Sequence, residues 1–357
     1  MITPSKMNRE SSINLSNKSL PSSRIVPKKS SKDALSPFVR RFLRRVQNTA
    51  STFDLWEEGE SFIIGVSGGP DSLCLLDAMT LLQKKMHFSF HIAHVNYHLR
   101  GKDSNNDELL VRETAEKYSL PLTCFSCDTH SFRHSEETMR DLRYAFFEKT
   151  RIDQKAGKIL IAHNQNDQAE TLLMRLLRGS GLSGLSSMKA KNGHIIRPLI
   201  EMSRDDIMRY LQERNISFRE DTSNKDVLYF RNQIRHILIP FLEQRFQPKI
   251  RPILAETALL LGEDYALLEH ISTSFVVKET PTSKEFSCRD FLSLPPALMT
   301  RELRSLVRPL LEGKNPSKKL LGELLKVLKS TKNKTQTVTF QGLKFIRKGD
   351  TVRLLNF

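Results

Sequence analysis

The chain has 357 residues, enough for two domains of ordinary size, and its 39% hydrophobic and 27% charged content fits a globular protein. No apolar run reaches the roughly 18 residues of a membrane span. The four cysteines (Cys74, Cys124, Cys127, Cys288) have irregular spacing that argues against a disulfide framework and for a reducing, cytoplasmic setting. Net charge is +16 but unevenly placed. Residues 1–50 hold 11 Lys/Arg against 2 Asp/Glu, residues 281–357 hold 16 against 6, and residues 51–280 hold 29 against 32. Basic ends around a near-neutral middle suit a phosphate-rich partner gripped by the ends; a solvated tail and a basic surface explain the same numbers.

In chain order, residues 1–36 are Ser- and Lys-rich without periodicity and read as a disordered basic tail. An organelle transit peptide shares that composition and is the alternative for location. "FVRRFLRRVQ" then predicts a helix with Arg40, Arg41, Arg44 and Arg45 on one cationic face. From residue 61 strand and helix patterns alternate. "SFIIGV" precedes "DSLCLLDAMTLLQKK", "FSFHIAHV" precedes "NNDELLVRETAEKYS", "LPLTCFSC" precedes "SEETMRDLRYAFFEKTRIDQKA", and "KILIAH" precedes "DQAETLLMRLLR". Four such units predict an α/β fold, a parallel sheet with helices on both faces, whose ligands gather beyond the carboxyl ends of the strands. Helical patterns follow in "SRDDIMRYLQERN", with Ser203 as its N-cap, and in "RNQIRHILIPFLEQRF" and "ETALLLGEDYALLEHISTSF". A Thr/Ser/Lys/Pro stretch near 278–284 reads as a linker. Beyond it come helices near 297–311 and 317–330, then an alternating run that turns at Gly342 and Gly349. The predicted organisation is a tail (1–36), an α/β domain (37–215), a helical segment (216–280) and a small basic α+β module (281–357).

"VSGGPDS" sits at the first strand's end. Gly68 and Gly69 remove the Cβ atoms that would keep a phosphate from the backbone N–H groups. Pro70 suits a first helical position, and the helix that follows aims its positive end at an anion. Ser67 and Ser72 add hydroxyls. Asp71 beside phosphates calls for a bridging cation, so Mg²⁺ is the expected metal. The stretch lacks the spacing of a Walker loop, of G-x-G-x-x-G and of a G-x-S-x-G elbow. A plain structural turn is the bland alternative.

With these residues, S-G-G-x-D-S after a strand resembles the PP-loop of the ATP pyrophosphatases, which cleave ATP to AMP and pyrophosphate. Later stretches narrow the likeness. "HVNYHLR" (94–100), "ETMRDLRY" (137–144), "AHNQNDQAET" (162–171), "LLRGSGLSGL", Arg197-Pro198-Leu199, "EDTSN" and "YFRNQIRHILIP" are similar to blocks of the tRNA(Ile)-lysidine synthetase family. The likeness runs from about residue 60 to 240 and more loosely beyond.

The resemblance implies ATP-dependent joining of free lysine to C2 of cytidine 34 in a CAU anticodon, through an adenylated base. It implies Ser67, Gly68, Gly69, Pro70, Asp71 and Ser72 around ATP, with Asp71 also the Mg²⁺ contact. Asp71 and Arg143 are the expected catalytic groups, and Asp167 and Glu170 the receivers of lysine. Arg140, His163 and His94 are further candidates, though a surface arginine or a packed histidine fits each as well, and Asp167 also fits a helix cap. Asn166 stands where the family has the first Asp of an Asp-Asp pair, and Tyr97 where it has a His. A homodimer is left open. The rivals are a tRNA thiolase, suggested by Cys124-x-x-Cys127, and an inactive tRNA-binding relative. Cys124 and Cys127 lie in a predicted strand, where positions three apart face opposite ways, so a structural role is favoured. Lys314, Lys318, Lys319 and Lys326 are candidate phosphate contacts.

Overall fold

The computed structural model describes residues 35–99, 102–127, 136–186, 188–219, 229–272, 277–280, 283–311, 316–332, 334–340 and 342–356. The predicted tail up to residue 34, Arg100, the "EDTSN" stretch and Lys314 lie outside the described residues.

Six strands form one sheet in the order β3-β2-β1-β4-β6-β5. They are β1 (Ser61–Gly65), β2 (Ser89–Asn96), β3 (Leu122–Ser126), β4 (Lys158–Leu160), β5 (Lys191–Asn192) and β6 (Ile195–Ile196). β1 to β4 and β6 run parallel, with Ile64 opposite Ile92 and Leu160, while β5 pairs antiparallel with β6 at the edge. The fold class is thus as expected from the alternation. The β5–β6 hairpin was not foreseen, because two residues per strand carry no periodicity.

Side chains of β1 divide between two cores. Phe62 and Ile64, with Val66 just past the strand, join α1 (Pro37–Thr52), α2 (Pro70–Met86), α3 (Lys102–Tyr118) and α7 (Arg204–Glu213). Ile63 instead packs with Ala93, Ile159 and Phe147 of α4 (Glu136–Asp153). Each such fully buried side chain contributes about 1.5–3 kcal/mol. Gly65 is required by this second face, since a Cβ there would lie 2.8 Å from the Phe147 ring. Strand order reverses between β1 and β4, and a right-handed crossover then has to lie on the opposite face, as α4 does. That reversal opens a crevice at the carboxyl ends of β1 and β4.

α1 buries Phe38, Val39, Phe42, Leu43, Val46 and Ala50, and Ser36 caps it by accepting from the Val39 N–H at 3.1 Å. Arg40, Arg41 and Arg44 are exposed as predicted, whereas Arg45 is drawn to Asp206 at 2.7 Å. One buried carboxylate fastens three helices. Asp77 on α2, 1% exposed, accepts from the hydroxyls of Tyr118 on α3 and Tyr210 on α7, each at 2.6 Å. The Arg214 guanidinium adds two bonds at 2.9 and 3.0 Å.

Between β4 and β5 come α5 (Gln165–Leu177) and α6 (Leu182–Leu185), and past α7 comes a composite helix. It comprises α8 (Phe230–Gln233), a π-helical stretch (Ile234–Leu238) and α9 (Ile239–Arg245). Pro240 has no N–H to give to the preceding turn and its ring would press on that turn's carbonyl, so the helix widens ahead of it. The Ile239 N–H accordingly reaches back to Ile234 O. α10 (Ile250–Ser272) lies along α5.

The C-terminal region builds its own core on a five-stranded antiparallel sheet ordered β7-β8-β11-β10-β9. The stretch read as a linker near 278–284 is instead a hairpin, β7 (Lys278–Thr280) and β8 (Ser283–Ser287). Its composition misleads because it is an edge: every residue of β7 is exposed, and only Phe286 of β8 is buried. β9 (Gln336–Phe340), β10 (Leu343–Lys348) and β11 (Thr351–Asn356) turn at Gly342 and Gly349, both at positive φ, as predicted. Behind the sheet pack α11 (Cys288–Ser293), α12 (Pro296–Val307) and α13 (Lys318–Leu328). Lys318 and Lys319 are exposed, and Lys326 is exposed but pairs with Glu323 at 2.8 Å.

Candidate functional site

At the tip of β1 the chain turns through Ser67, Gly68 and Gly69 into α2. Gly68 has φ +83°, a conformation that a side chain makes costly. Pro70 occupies the first turn of α2, behind Gly69 as N-cap, and Asp71 follows in the same turn. Ser72 holds the turn in shape. Its Oγ accepts from the Ser67 N–H at 3.1 Å and donates to Gly69 O at 2.9 Å, and it lies 3.2 Å from Ser67 Oγ. Gly69 carries no side-chain cap. The free N–H groups of the first turn therefore face the crevice, with the helix's positive end behind them.

Across the crevice, the end of β4 leads through Ala162, His163 and Asn164 into α5. Asn164 is a hub. Its Oδ1 accepts from the Asp167 N–H at 3.1 Å, its own N–H donates to Asp167 Oδ2 at 3.0 Å, and its amide donates to Asp71 Oδ1 at 2.9 Å. Arg204, first residue of α7, makes a short ion pair with the other Asp71 oxygen. Burial pushes the Asp71 carboxyl above its ordinary range, and the nearby Asp167 charge adds to that push against Arg204.

Asp167 and Glu170 do share one face of α5, and two guanidiniums already lie on them. Arg231 Nε donates to Glu170 Oε2 and its terminal nitrogen to Asp167 Oδ1, both at 2.7 Å. Arg235 Nε donates to Glu170 Oε1 at 2.5 Å and a terminal nitrogen to Glu170 Oε2 at 2.9 Å. Glu170 is 0% exposed, so its charge requires this compensation. Gln168 of the same stretch is structural: its amide bonds both the carbonyl and the N–H of Met188, at 2.8 and 3.0 Å.

His163 Nδ1 accepts from Arg197 Nε at 2.9 Å, which leaves the proton of the neutral ring on Nε2. Burial, then the charges of Arg197, Arg231, Arg140 and Arg143, hold the imidazole well below its ordinary range. Arg140 and Arg143 both face the Tyr144 ring, at 5.2 and 5.9 Å from its centroid, and neither has a carboxylate partner among the described residues. They make this wall of the crevice an anion-attracting surface.

His163 also makes stability depend on pH. Its folded-state pKa is lowered, so below about 6.5 the unfolded chain takes up a proton that the folded chain refuses. Stability is expected to fall as pH drops from 7.5 to 5.5. His163→Gln should flatten that fall, as read from urea midpoints at both values; an identical slope in the variant would assign the effect elsewhere.

Other candidates lie outside the cluster. His94, 3% exposed, donates from Nδ1 to Val66 O at 2.8 Å and so braces the start of the turn. The two departures from the family pattern have local partners. Asn166 Oδ1 accepts from the Arg204 N–H at 3.2 Å, and Tyr97 donates its hydroxyl to Met139 O at 2.7 Å. Neither Cys124 nor Cys127 forms a disulfide; Cys124 is half-buried in β3, and burial raises its thiol pKa to about 11. Asn164, Arg204, Arg231 and Arg235 were missed as site residues. The sequence signals for the last two were their place in the family-like stretch "YFRNQIRHILIP" and their spacing of four, matching a carboxylate pair three apart.

Residues 37–242 match the family described as the PP-loop domain. The chain belongs to the PP-loop family. Relatives of this PP-loop protein include a tRNA(Ile)-lysidine synthase of Clostridium acetobutylicum, 34% identical over 303 residues, 81% of this chain and 65% of that one. One from Caldanaerobacter subterraneus is 37% identical over 232 residues, 64% of this chain and 50% of its own. The chain thus spans about half the length of the first such relatives. Among solved structures, the U34-tRNA thiolase NcsA of Methanococcus maripaludis, with its [4Fe-4S] cluster, superposes with TM-score 0.54 at 18% identity, covering 63% of this chain and 80% of that one. That likeness is one of fold. No helix among the described residues is long and apolar enough to cross a membrane.

Proposed function

We propose that this PP-loop protein ligates lysine to C2 of cytidine 34 in an isoleucine tRNA with a CAU anticodon, at the expense of ATP. The observation that carries the reading is the bridge from Asp71 through Asn164 to Asp167. It joins an anion cradle and a carboxylate pair within one crevice, as a reaction between a triphosphate and a diamine requires. The shared name of its relatives agrees.

In the first step cytidine O2 attacks the α-phosphorus, the bond to the β-phosphate breaks, and pyrophosphate leaves. In the second the lysine ε-nitrogen attacks C2, the C2–O2 bond breaks with AMP departing, and the nitrogen loses its proton. The backbone N–H groups of Gly68, Asp71 and Ser72 hold phosphate oxygens, those of Ser67 and Gly69 being spent on the turn's own hydroxyls. Arg143 and Arg140 stabilise charge that develops on them. Asp167 and Glu170 receive the amines of lysine, with Arg231 and Arg235 giving way or turning toward its carboxylate. Neutral His163 is set to donate from Nε2.

Asp71 and Asp167 are the oxygen donors a Mg²⁺ ion would use beside ATP. Asn164 bonds one oxygen of each, so the two carboxylates stand in one crevice and supply the hard oxygen donors such an ion takes. When bound, the ion shields phosphate charge. Asn166 retains an acceptor and leaves no group unpaired, so its missing charge does not argue for an inactive relative. The raised Cys124 thiol argues against sulfur transfer.

Purified protein with the tRNA, Mg·ATP and labelled lysine is expected to incorporate label and release pyrophosphate. Sulfur transfer without label would favour the thiolase, and absence of pyrophosphate an inactive relative. Asp71→Asn should slow turnover roughly 100-fold or more. Wild-type rates in that variant would remove Asp71 from the metal contact.

A further inference from the structure

Chemistry at C2 of an anticodon pyrimidine requires the base to leave its stack, and proteins that hold splayed-out bases offer an aromatic face in exchange. The inference below rests on the proposed reaction and asks where that face is.

Most rings at this end of the sheet are committed. Tyr144 is faced by Arg140 and Arg143, His163 is held by Arg197, the Tyr97 hydroxyl is bound to Met139 O, and Phe147 is buried beneath Gly65. Two rings stand out from this set: Tyr229 is 55% exposed and Phe230 37%. They directly precede Arg231, whose guanidinium lies 2.7 Å from both Asp167 and Glu170. Phe230 is therefore the chain neighbour, on the same short helix, of the arginine that holds the carboxylate pair. Its exposed face meets a second flat group, since the Arg178 guanidinium carbon at the end of α5 is 5.3 Å from the ring centroid. Arg178 is exposed and makes no ion pair among the described residues, so it is free to swing aside.

The geometry points to Phe230 as the stacking platform for the target cytidine, with Arg178 closing over the far side of the base. A ring below and a guanidinium above grip a base through its π-faces while leaving its edge, where C2 and O2 lie, open to the crevice. Tyr229, one step further out, forms the rim. The helix that presents Phe230 is the same one that presents Arg231, so the base and the carboxylate pair are held in register by a single rigid element.

The test uses the full chain and an anticodon stem-loop carrying pyrrolocytidine at position 34. Wild-type protein is expected to quench the probe. Phe230→Leu should abolish quenching and weaken stem-loop binding roughly ten-fold, with KM for ATP unchanged, and Phe230→Tyr should restore both. Arg178→Ala should reduce quenching in part. Quenching that persists in Phe230→Leu overturns the platform, as does an equal rise in the KM for ATP, which would mark a merely structural role. A change in self-association with RNA affinity intact would assign the face to a second copy and equally overturn it. The two readings separate cleanly. Quenching without lysine incorporation by the wild type sinks the ligase and spares the platform, and incorporation with no effect at Phe230 does the reverse.

Discussion

Glu170→Gln is expected to cost about 3–5 kcal/mol of unfolding free energy and to abolish lysine incorporation. Glutamine keeps the shape but removes the buried charge that receives three bonds from two guanidiniums. Arg231 and Arg235 would then face each other with Asp167 alone between them, and Asp167 is also engaged in capping α5. Pairing Glu170→Gln with Arg235→Met should recover part of the stability, because the double change removes the orphaned charge, but none of the activity. Urea denaturation of the single and double variants measures the coupling. A loss below about 1 kcal/mol in the single variant would show that the guanidiniums find other compensation.

Asp77→Ala is expected to be as costly and quite different in kind. It strands Arg214 and the hydroxyls of Tyr118 and Tyr210, at about 3–5 kcal/mol. For a domain of this size the thermal midpoint should fall by about 10 °C. Asp77 lies six residues along α2 from Asp71, about 9 Å down the helix axis, so it does not reach the crevice. Turnover measured well below the midpoint should stay within about two-fold of wild type if the role is structural alone. Normal stability in the variant would mean that the three helices are held by packing and not by this carboxylate.

The first half of the chain was readable because its strands and helices are long and periodic, and because a glycine turn at a strand end has few other uses. β1, α2 and the turn between them lie where the pattern placed them. The β5–β6 hairpin and the β7–β8 edge were not readable, one being too short for a pattern and the other too polar. The candidate site was half legible. Asp71, Asp167 and Glu170 carry their own local signal. Their partners do not: Arg204 meets Asp71 from 133 residues away, and Arg231 meets Glu170 from 61. Nothing local to an arginine reveals which distant carboxylate the fold will bring to it. Asn164 was overlooked for a related reason, since its amide meets Asp71 only because β4 lies beside β1.

That asparagine has a further effect. One short side chain is pinned at both ends, to the opening turn of one helix and to the opening turn of another, so neither turn can tilt without pulling on its neighbour. Two guests that draw on these turns thereby sense one another through a single rigid tie. Whichever docks first alters the grip on the second, and thermodynamic reciprocity makes that influence equal in both directions.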